Sequence, residues 1–235
     1  MGRVPVSAAA EFPTTSATWL TQQLERDPPA ARAHIMQRYF EPLCAYARAS
    51  VLRALGEPAE LVNAFFSARL SDDAYLARWA ESGLPLRRWL ANGLVIHARN
   101  DALARRRREE RASSADPESL ERRIAQVPSS ETDALLALER SWAVRCVTEA
   151  HERVRVSLQA EGRAAWWELF RLHTVQGMPY AQASSVVGVS LANASSVHRQ
   201  VVARLHDALH EILARDGVAP EDLDRELAAM QDLLR

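Results

Sequence analysis

The chain has 235 residues, 48% of them hydrophobic and 25% charged, a balance typical of a globular protein and unlike that of a disordered one. The formal net charge is −1, so a nucleic-acid-binding surface would require segregation of charge along the chain. Cys44 and Cys146 belong to no CxxC or Cys/His cluster, so neither a disulfide framework nor a zinc site is predicted. Apolar residues recur at three- and four-residue spacing, which predicts an all-α fold of two small helical domains.

No targeting or membrane segment is predicted. Residues 1–15, an N-terminal extension, lack the apolar core of a signal peptide, and no run of about 18 apolar residues occurs in the chain. We therefore expect a cytoplasmic protein that does not contact a membrane.

The first predicted domain covers residues 16–111. Its first helix is expected to be interrupted near Pro42 and to end at the turn of residues 56–58; a second covers 58–70, and a third begins near Leu86. The expected inward-facing residues are Ile35, Tyr39, Leu43, Tyr46, Leu52, Leu55, Leu61, Phe65, Ala68, Trp89, Leu90, Leu94, Ala98 and Leu103, and Phe66 is a further candidate for the inward face of the second helix.

A flexible linker is predicted at residues 112–132, which are rich in serine, contain two prolines and show little apolar periodicity. The second predicted domain follows at 133–213. Residues 214–235 then form an acidic amphipathic helix that carries three arginines against six acidic residues. Whether this tail covers a basic surface or packs on the second domain stays open.

A helix-turn-helix is predicted between Pro179 and residue 213. Pro179 suits a helix start, Gly188 permits a sharp turn, and Ser190 can cap the following helix. A plain helical hairpin is the competing interpretation. The apolar residues expected between the two helices are Val186, Val187, Val189, Ala194, Val197 and Val201.

The second helix of this motif presents polar side chains that can contact bases or phosphates. They are Asn193, Ser195, Ser196, Arg199 and Gln200. Residues 177–213 contain only two arginines, against two acidic residues, so the motif alone is expected to bind DNA weakly.

The missing positive charge lies in the first domain. Residues 86–111 contain eight arginines against three acidic residues, including the run Arg105, Arg106, Arg107 and Arg108. Such a cluster can neutralise several phosphates. The competing interpretation is a solvated helix end whose positive charge complements the helix dipole.

No enzyme, cofactor or metal site is predicted. His206 and His210 have the i,i+4 spacing of a helical metal pair, but no third ligand is apparent. Paired carboxylates, nucleophile motifs and phosphate loops are also missing from the sequence.

Several stretches, taken in order, resemble one family. They are "EFPTTSATWL" at residues 11–20, "AELVNAFFSARL" at 59–70, "LRRWLANGLVIHARNDALARRRR" at 86–108, "LQAEGRAAWWELF" at 158–170, the helix-turn-helix, and "PEDLDRELAAMQDLL" at 220–234. Their order resembles that of extracytoplasmic-function sigma factors of the sigma-70 family, in the planctomycete-type branch. The resemblance covers nearly the whole chain.

The resemblance implies that the protein binds core RNA polymerase and directs it to selected promoters. It implies polymerase contacts by Glu60, Asn63, Phe66 and Arg69. Contacts near the minus-10 strand would come from Arg88, Asn100, Arg105, Arg106 and Arg107, with Arg108 in the same cluster. The polar residues of the second motif helix would meet the minus-35 major groove. Promoter DNA and core polymerase are the expected partners, and an anti-sigma factor is a further candidate.

Two stretches depart from the pattern of that family. The clamp helix has one acidic residue, Glu60, where more are expected, and Ser195 and Gln200 replace basic residues of the recognition helix. A sigma fold that binds another partner, or that binds polymerase without opening promoters, is therefore the second hypothesis. A freestanding dimeric helix-turn-helix regulator is the third.

Overall fold

The computed structural model describes residues 18–112 and 130–235. All regular elements in these ranges are helical, which confirms the all-α prediction. The α-helices are α1 (Thr18–Arg26), α2 (Pro28–Ala49), α3 (Pro58–Arg69), α4 (Asp73–Ser82), α5 (Leu86–Ala112), α6 (Glu131–Ala160), α7 (Ala164–Phe170), α8 (Tyr180–Val187), α9 (Leu191–Arg215) and α10 (Leu223–Leu234). The predicted N-terminal extension and residues 113–129 of the predicted linker lie outside the described ranges. Among the helices described, none has the length and apolar character needed to cross a membrane.

The chain divides into two compact units. The first contains the described residues up to Ala143 together with Asp216–Arg235, and the second contains Val144–Arg215. These bounds differ from those of the predicted domains, because the first part of α6 and the C-terminal residues belong with the N-terminal helices.

Helix α2 is continuous through Pro42, and it ends at Ala49, before the predicted turn at residues 56–58. The Asp27 side chain caps its start by accepting a hydrogen bond from the backbone N–H of Ala30 at 3.1 Å. The predicted interruption at Pro42 is wrong, since the helix continues to Ala49 with Pro42 buried inside it. Proline removes one backbone hydrogen bond, but the buried residues on both sides of Pro42 keep the segment packed.

The core of the first unit contains most of the residues expected there. Ile35, Tyr39, Leu43, Tyr46 and Leu52 are all buried, and so are the residues expected inside on α3 and α5 at Leu61, Phe65, Leu90, Leu94 and Ala98. Leu55 and Trp89 are half-buried. Two expectations were wrong, because Ala68 is exposed and Leu103 is 44% exposed. The buried stripe of α5 runs through Ala98 and Ala102, and Leu103 lies about 100° around the helix from the latter.

Helix α4, which the sequence did not predict, contributes Tyr75 and Trp79 to the core. The Tyr75 hydroxyl reaches α5, where it donates to the carbonyl of Trp89 at 3.3 Å. A Cβ atom at Gly93 of α5 would overlap this hydroxyl, so the glycine makes room for the Tyr75 side chain.

The second unit builds a small core around α7, α8 and α9. After Phe170 the chain makes a π-helical turn at Arg171–Val175. The core residues are Leu169, Leu172, Ala183, Ala194 and Val197. Gly188 ends α8 with a φ of 72°, in the left-handed region that glycine adopts without strain. Val186 was predicted to be inside, but it is 67% exposed.

Candidate nucleic-acid interface

One side of α9 is apolar and buried, and another is polar and exposed. Ala194, Val197 and Val201 recur at helical spacing and pack inward. The predicted contact residues of this helix all lie on the exposed side, which is called here the polar face of α9: Asn193, Ser195, Ser196, Arg199 and Gln200. The structure therefore brings these five residues together on one accessible surface.

Most arginines of the second unit already have acidic partners. The pairs join Arg153 to Glu149, Arg155 to Glu152, Arg171 to Glu168, and both Arg163 and Arg204 to Glu161. Arg204 donates to Glu161 through Nη2 at 2.9 Å, and this hydrogen bond lowers the pKa of the Glu161 carboxyl. Arg199 has no acidic partner among the described residues, so it is the cation that the polar face offers to a ligand.

His198 does not add charge to this surface near neutral pH. Its Nε2 lies 2.8 Å from the Thr174 hydroxyl, and its ring stacks on Phe170. Burial, with a smaller contribution from His173, lowers the pKa of His198 below its usual value. The polar face is thus built for hydrogen bonding more than for attraction of phosphates.

The arginine segment, defined as Arg105–Arg108, lies near the C-terminal end of α5 in the first unit. All four side chains are at least partly exposed. Consecutive residues differ by about 100° around a helix, so the four side chains surround it and do not share one face. Asp101 partly offsets the charge, because it pairs with Arg105 at 2.8 Å. Arg108 donates to the carbonyl of Ala104, one turn back along the same helix, at 3.2 Å.

Arg88 and Asn100 are also exposed on α5, but they are not part of one cluster. Arg88 and Arg105 are 17 positions apart, which corresponds to about 25 Å along a helix. The polar and basic positions are therefore spread along and around the helix and do not form a single compact site.

The other basic residue at the start of α5, Arg87, is not available to a ligand. Sequence reasoning counted it in the positive surface, yet its side chain is 2% exposed and lies between Glu139 and Glu226. Burial opposes the guanidinium charge, but the two carboxylates hold the pKa of Arg87 above its usual value. The sequence contains no local signal for this site, because its members come from three distant segments.

The four residues expected to contact polymerase divide into two groups. Glu60 and Asn63 are exposed and lie on the same side of α3, at i,i+3 spacing. Phe66 is only 2% exposed and packs against Phe65 with 5.7 Å between ring centroids. Its expected surface role is wrong, since the ring belongs to the α3 core stripe. Arg69 is half-buried.

Arg69 lines a cleft that the sequence did not predict. Tyr75 and Trp89 lie in it with ring centroids 5.5 Å apart, and Arg78 is at its edge. Exposed apolar side chains at Leu84 and Ile96 widen this surface. Aromatic rings next to arginines can stack a planar anionic group such as an unstacked nucleotide. Gly93, in the middle of α5, was the one sequence signal of close packing here.

The histidine pair of the second unit is the remaining candidate for ligand binding. The rings of His206 and His210 lie 4.1 Å apart, centroid to centroid. Structural and catalytic zinc sites use three or four protein ligands, of which this pair supplies two.

None of the protein-family models, curated proteins or solved structures compared with the chain matches it. Its candidate interface is therefore interpreted from its own residues.

Proposed function

We propose that this chain is an alternative sigma factor of the extracytoplasmic-function type, a cytoplasmic protein that binds core RNA polymerase and directs promoter recognition. The observation that carries the proposal is the polar face of α9, which follows the left-handed turn at Gly188 and exposes five residues able to contact bases. In this proposal α8 and α9 form a helix-turn-helix that enters the minus-35 major groove.

The first unit would contact polymerase and the minus-10 region. Glu60 and Asn63 supply an exposed polar strip on α3 for the polymerase clamp. The arginine segment supplies phosphate contacts, and the half-buried Trp89, in the cleft that Arg69 and Arg78 line, can stack on a base that leaves the duplex stack. The polar face of α9 is weakly charged, so two linked weak contacts would act together through their effective concentration.

The direct test is transcription with the full chain and core RNA polymerase from a related bacterium, on fragmented genomic DNA. Polymerase binding with new discrete start sites is the expected result. A chain that does not bind polymerase, or binds it without new start sites, would contradict the proposal.

The role of Arg199 can be tested with a matched pair on the same helix. We expect R199A to change the preference among promoter sequences by about 1–3 kcal/mol at one base position, because an arginine contact with a base edge carries about that much discrimination. The control is R204A, since Arg204 is held by Glu161. The measurement is start-site use across a promoter library. Equal weakening at every promoter in R199A would show that this residue contacts phosphate.

A second candidate function, that of a protein-binding module, is favoured by exposed apolar side chains on α8 and α9. Val186, Leu191 and Val202 are exposed by 67%, 59% and 44%. Exposed apolar side chains that form one patch are typical of a protein contact. If V186D and L191D abolish polymerase or partner binding while promoter preference is unaffected by R199A, the second unit is a protein-binding module.

A further inference from the structure

The C-terminal residues 216–235 are called here the clasp. They follow the second unit in the sequence but belong to the first unit. They attach there through buried charged groups at two points. Asp216 and Glu226, one at each point, have side chains that are 2% and 1% exposed. Charged side chains are seldom buried unless they are paired, so these contacts specify where the clasp binds.

Asp216 makes the first attachment. Its Oδ1 lies 3.1 Å from Nε of Arg38 and 3.3 Å from Nε2 of His34, both on α2. Its Oδ2 accepts a hydrogen bond from Nε1 of Trp142 at 3.0 Å. Each oxygen of this carboxylate therefore has a hydrogen-bond donor, and the donor at Oδ1 includes the cation of Arg38.

Glu226 makes the second attachment, in which a single arginine lies between two carboxylates. Its Oε1 accepts from Nη2 of Arg87 at 2.8 Å, while Nε of the same guanidinium donates to Oε2 of Glu139 at 2.5 Å. The guanidinium also lies over the Trp142 ring, 4.4 Å from its centroid. Oε2 of Glu226 is buried and has no hydrogen-bond partner among the described residues.

The charges of these two points do not cancel when every carboxyl is ionised. Arg38 and Arg87 face three carboxylates, those of Asp216, Glu139 and Glu226. The other charged or titratable groups nearby are His34 and Tyr39 on α2 and Arg225 on α10. One proton would make the arginines and carboxylates equal in charge, and the oxygen without a partner, Oε2 of Glu226, is the position where a proton removes a buried charge.

We propose that the clasp is a proton-sensitive device, in which protonation of Glu226 at Oε2 favours docking of α10 on the first unit. The proton leaves Oε1 able to accept from Arg87, so the hydrogen bond that positions the helix is retained. This inference does not depend on the proposed function, since it concerns docking within the chain and requires neither polymerase nor DNA.

The direction of the pH effect follows from burial. Burial raises the pKa of Glu226 above its ordinary value; Arg87 opposes the shift and Glu139 adds to it. The docked clasp therefore binds a proton that the undocked clasp gives up. Docking is strongest below the ordinary pKa of a glutamate and is lost as the pH rises through the raised value.

The test is hydrogen exchange of the full chain between pH 5 and 9, corrected for the intrinsic effect of pH on exchange. In the native sequence, protection of residues 223–234 should fall with rising pH, by up to about tenfold per pH unit for one linked proton. Helix α9 is the internal control and should show no such fall. Equal pH dependence in the two helices, or none in α10, would overturn the proposal.

Three variants identify the proton-binding group. E226Q keeps the shape of the side chain without its charge, so α10 should stay protected with no pH dependence. E139Q removes the neighbouring carboxylate but not the burial, so the pH dependence should shrink without disappearing. H34Q removes the imidazole next to Asp216 and should leave the dependence unchanged. The assignment to Glu226 would be overturned if H34Q lost the pH dependence while E226Q kept it. It would also be overturned if α10 were unprotected at every pH in E226Q.

Discussion

The two ends of α5 carry the same residue type in opposite situations. Near the start, Arg87 is buried between two carboxylates and over a tryptophan ring, whereas the arginine segment near the other end is exposed. The residue type alone therefore does not decide whether an arginine is buried in an ion pair or exposed to a ligand. The difference is made by partners that come from distant parts of the chain, and it separates an arginine that organises the fold from arginines that are available to a ligand.

The largest expected effect comes from removing the buried arginine. We expect R87A to lower the free energy of unfolding by about 3–5 kcal/mol, because it leaves two buried carboxylates without their cation. Its neighbour Arg88 is exposed, so R88A is the matched control and should change stability by at most about 0.5 kcal/mol. Denaturant unfolding of the full chain measures both. Similar losses in the two variants would show that burial of Arg87 has no energetic consequence.

The arginine segment should behave in the reverse way. Changing Arg106, Arg107 and Arg108 to alanine should leave stability nearly unchanged but reduce the dependence of polymerase–promoter binding on salt. The slope of log K against log salt should change by roughly 0.9 for each phosphate that the variant no longer neutralises. Exposed Arg140, outside this segment, is the control. An unchanged slope in the triple variant would mean that these arginines do not contact phosphates and only complement the dipole at the end of the helix.

The smallest expected effect concerns the ion pair between Asp101 and Arg105. Both side chains are close to half exposed, so D101N should cost only about 0.3–0.5 kcal/mol of stability. The same change removes a negative charge beside the arginine segment, so DNA binding should become slightly tighter. Denaturant unfolding and binding at two salt concentrations test the two effects. A destabilisation of about 2 kcal/mol or more would show that an exposed pair can act like the buried site of Arg87.

Helical periodicity predicted much of the fold but could not identify every face. The spacing of Ile35, Tyr39 and Leu43 predicted one buried side of α2 correctly. Helix α4 was missed although Tyr75, Leu76 and Trp79 recur at helical spacing in it, because its ten residues make fewer than three helical turns. Phe66 was assigned to the surface through the family resemblance, whereas it is buried next to Phe65. When two adjacent positions are both aromatic, periodicity alone does not decide whether one or both lie inside.

The candidate interface was predicted more fully than the buried charges. The polar face of α9 follows from the sequence, because one helix carries both its buried and exposed positions at local spacing. The pairing of Arg204 with Glu161 joins positions 43 residues apart, and no local pattern predicts it. The cleft of Tyr75 and Trp89 was not predicted for the same reason, because its two rings come from different helices.

By itself, the sequence determined the helical character of the chain, the turn at Gly188 and the polar face of α9. These properties depend on interactions within a few residues, such as helix periodicity and the conformational freedom of glycine. Only the tertiary structure decided that Arg87 is a buried ion-pair partner and that residues 216–235 join the first unit. Such contacts form between segments far apart in sequence, and the burial that they create sets the free energy of each charge.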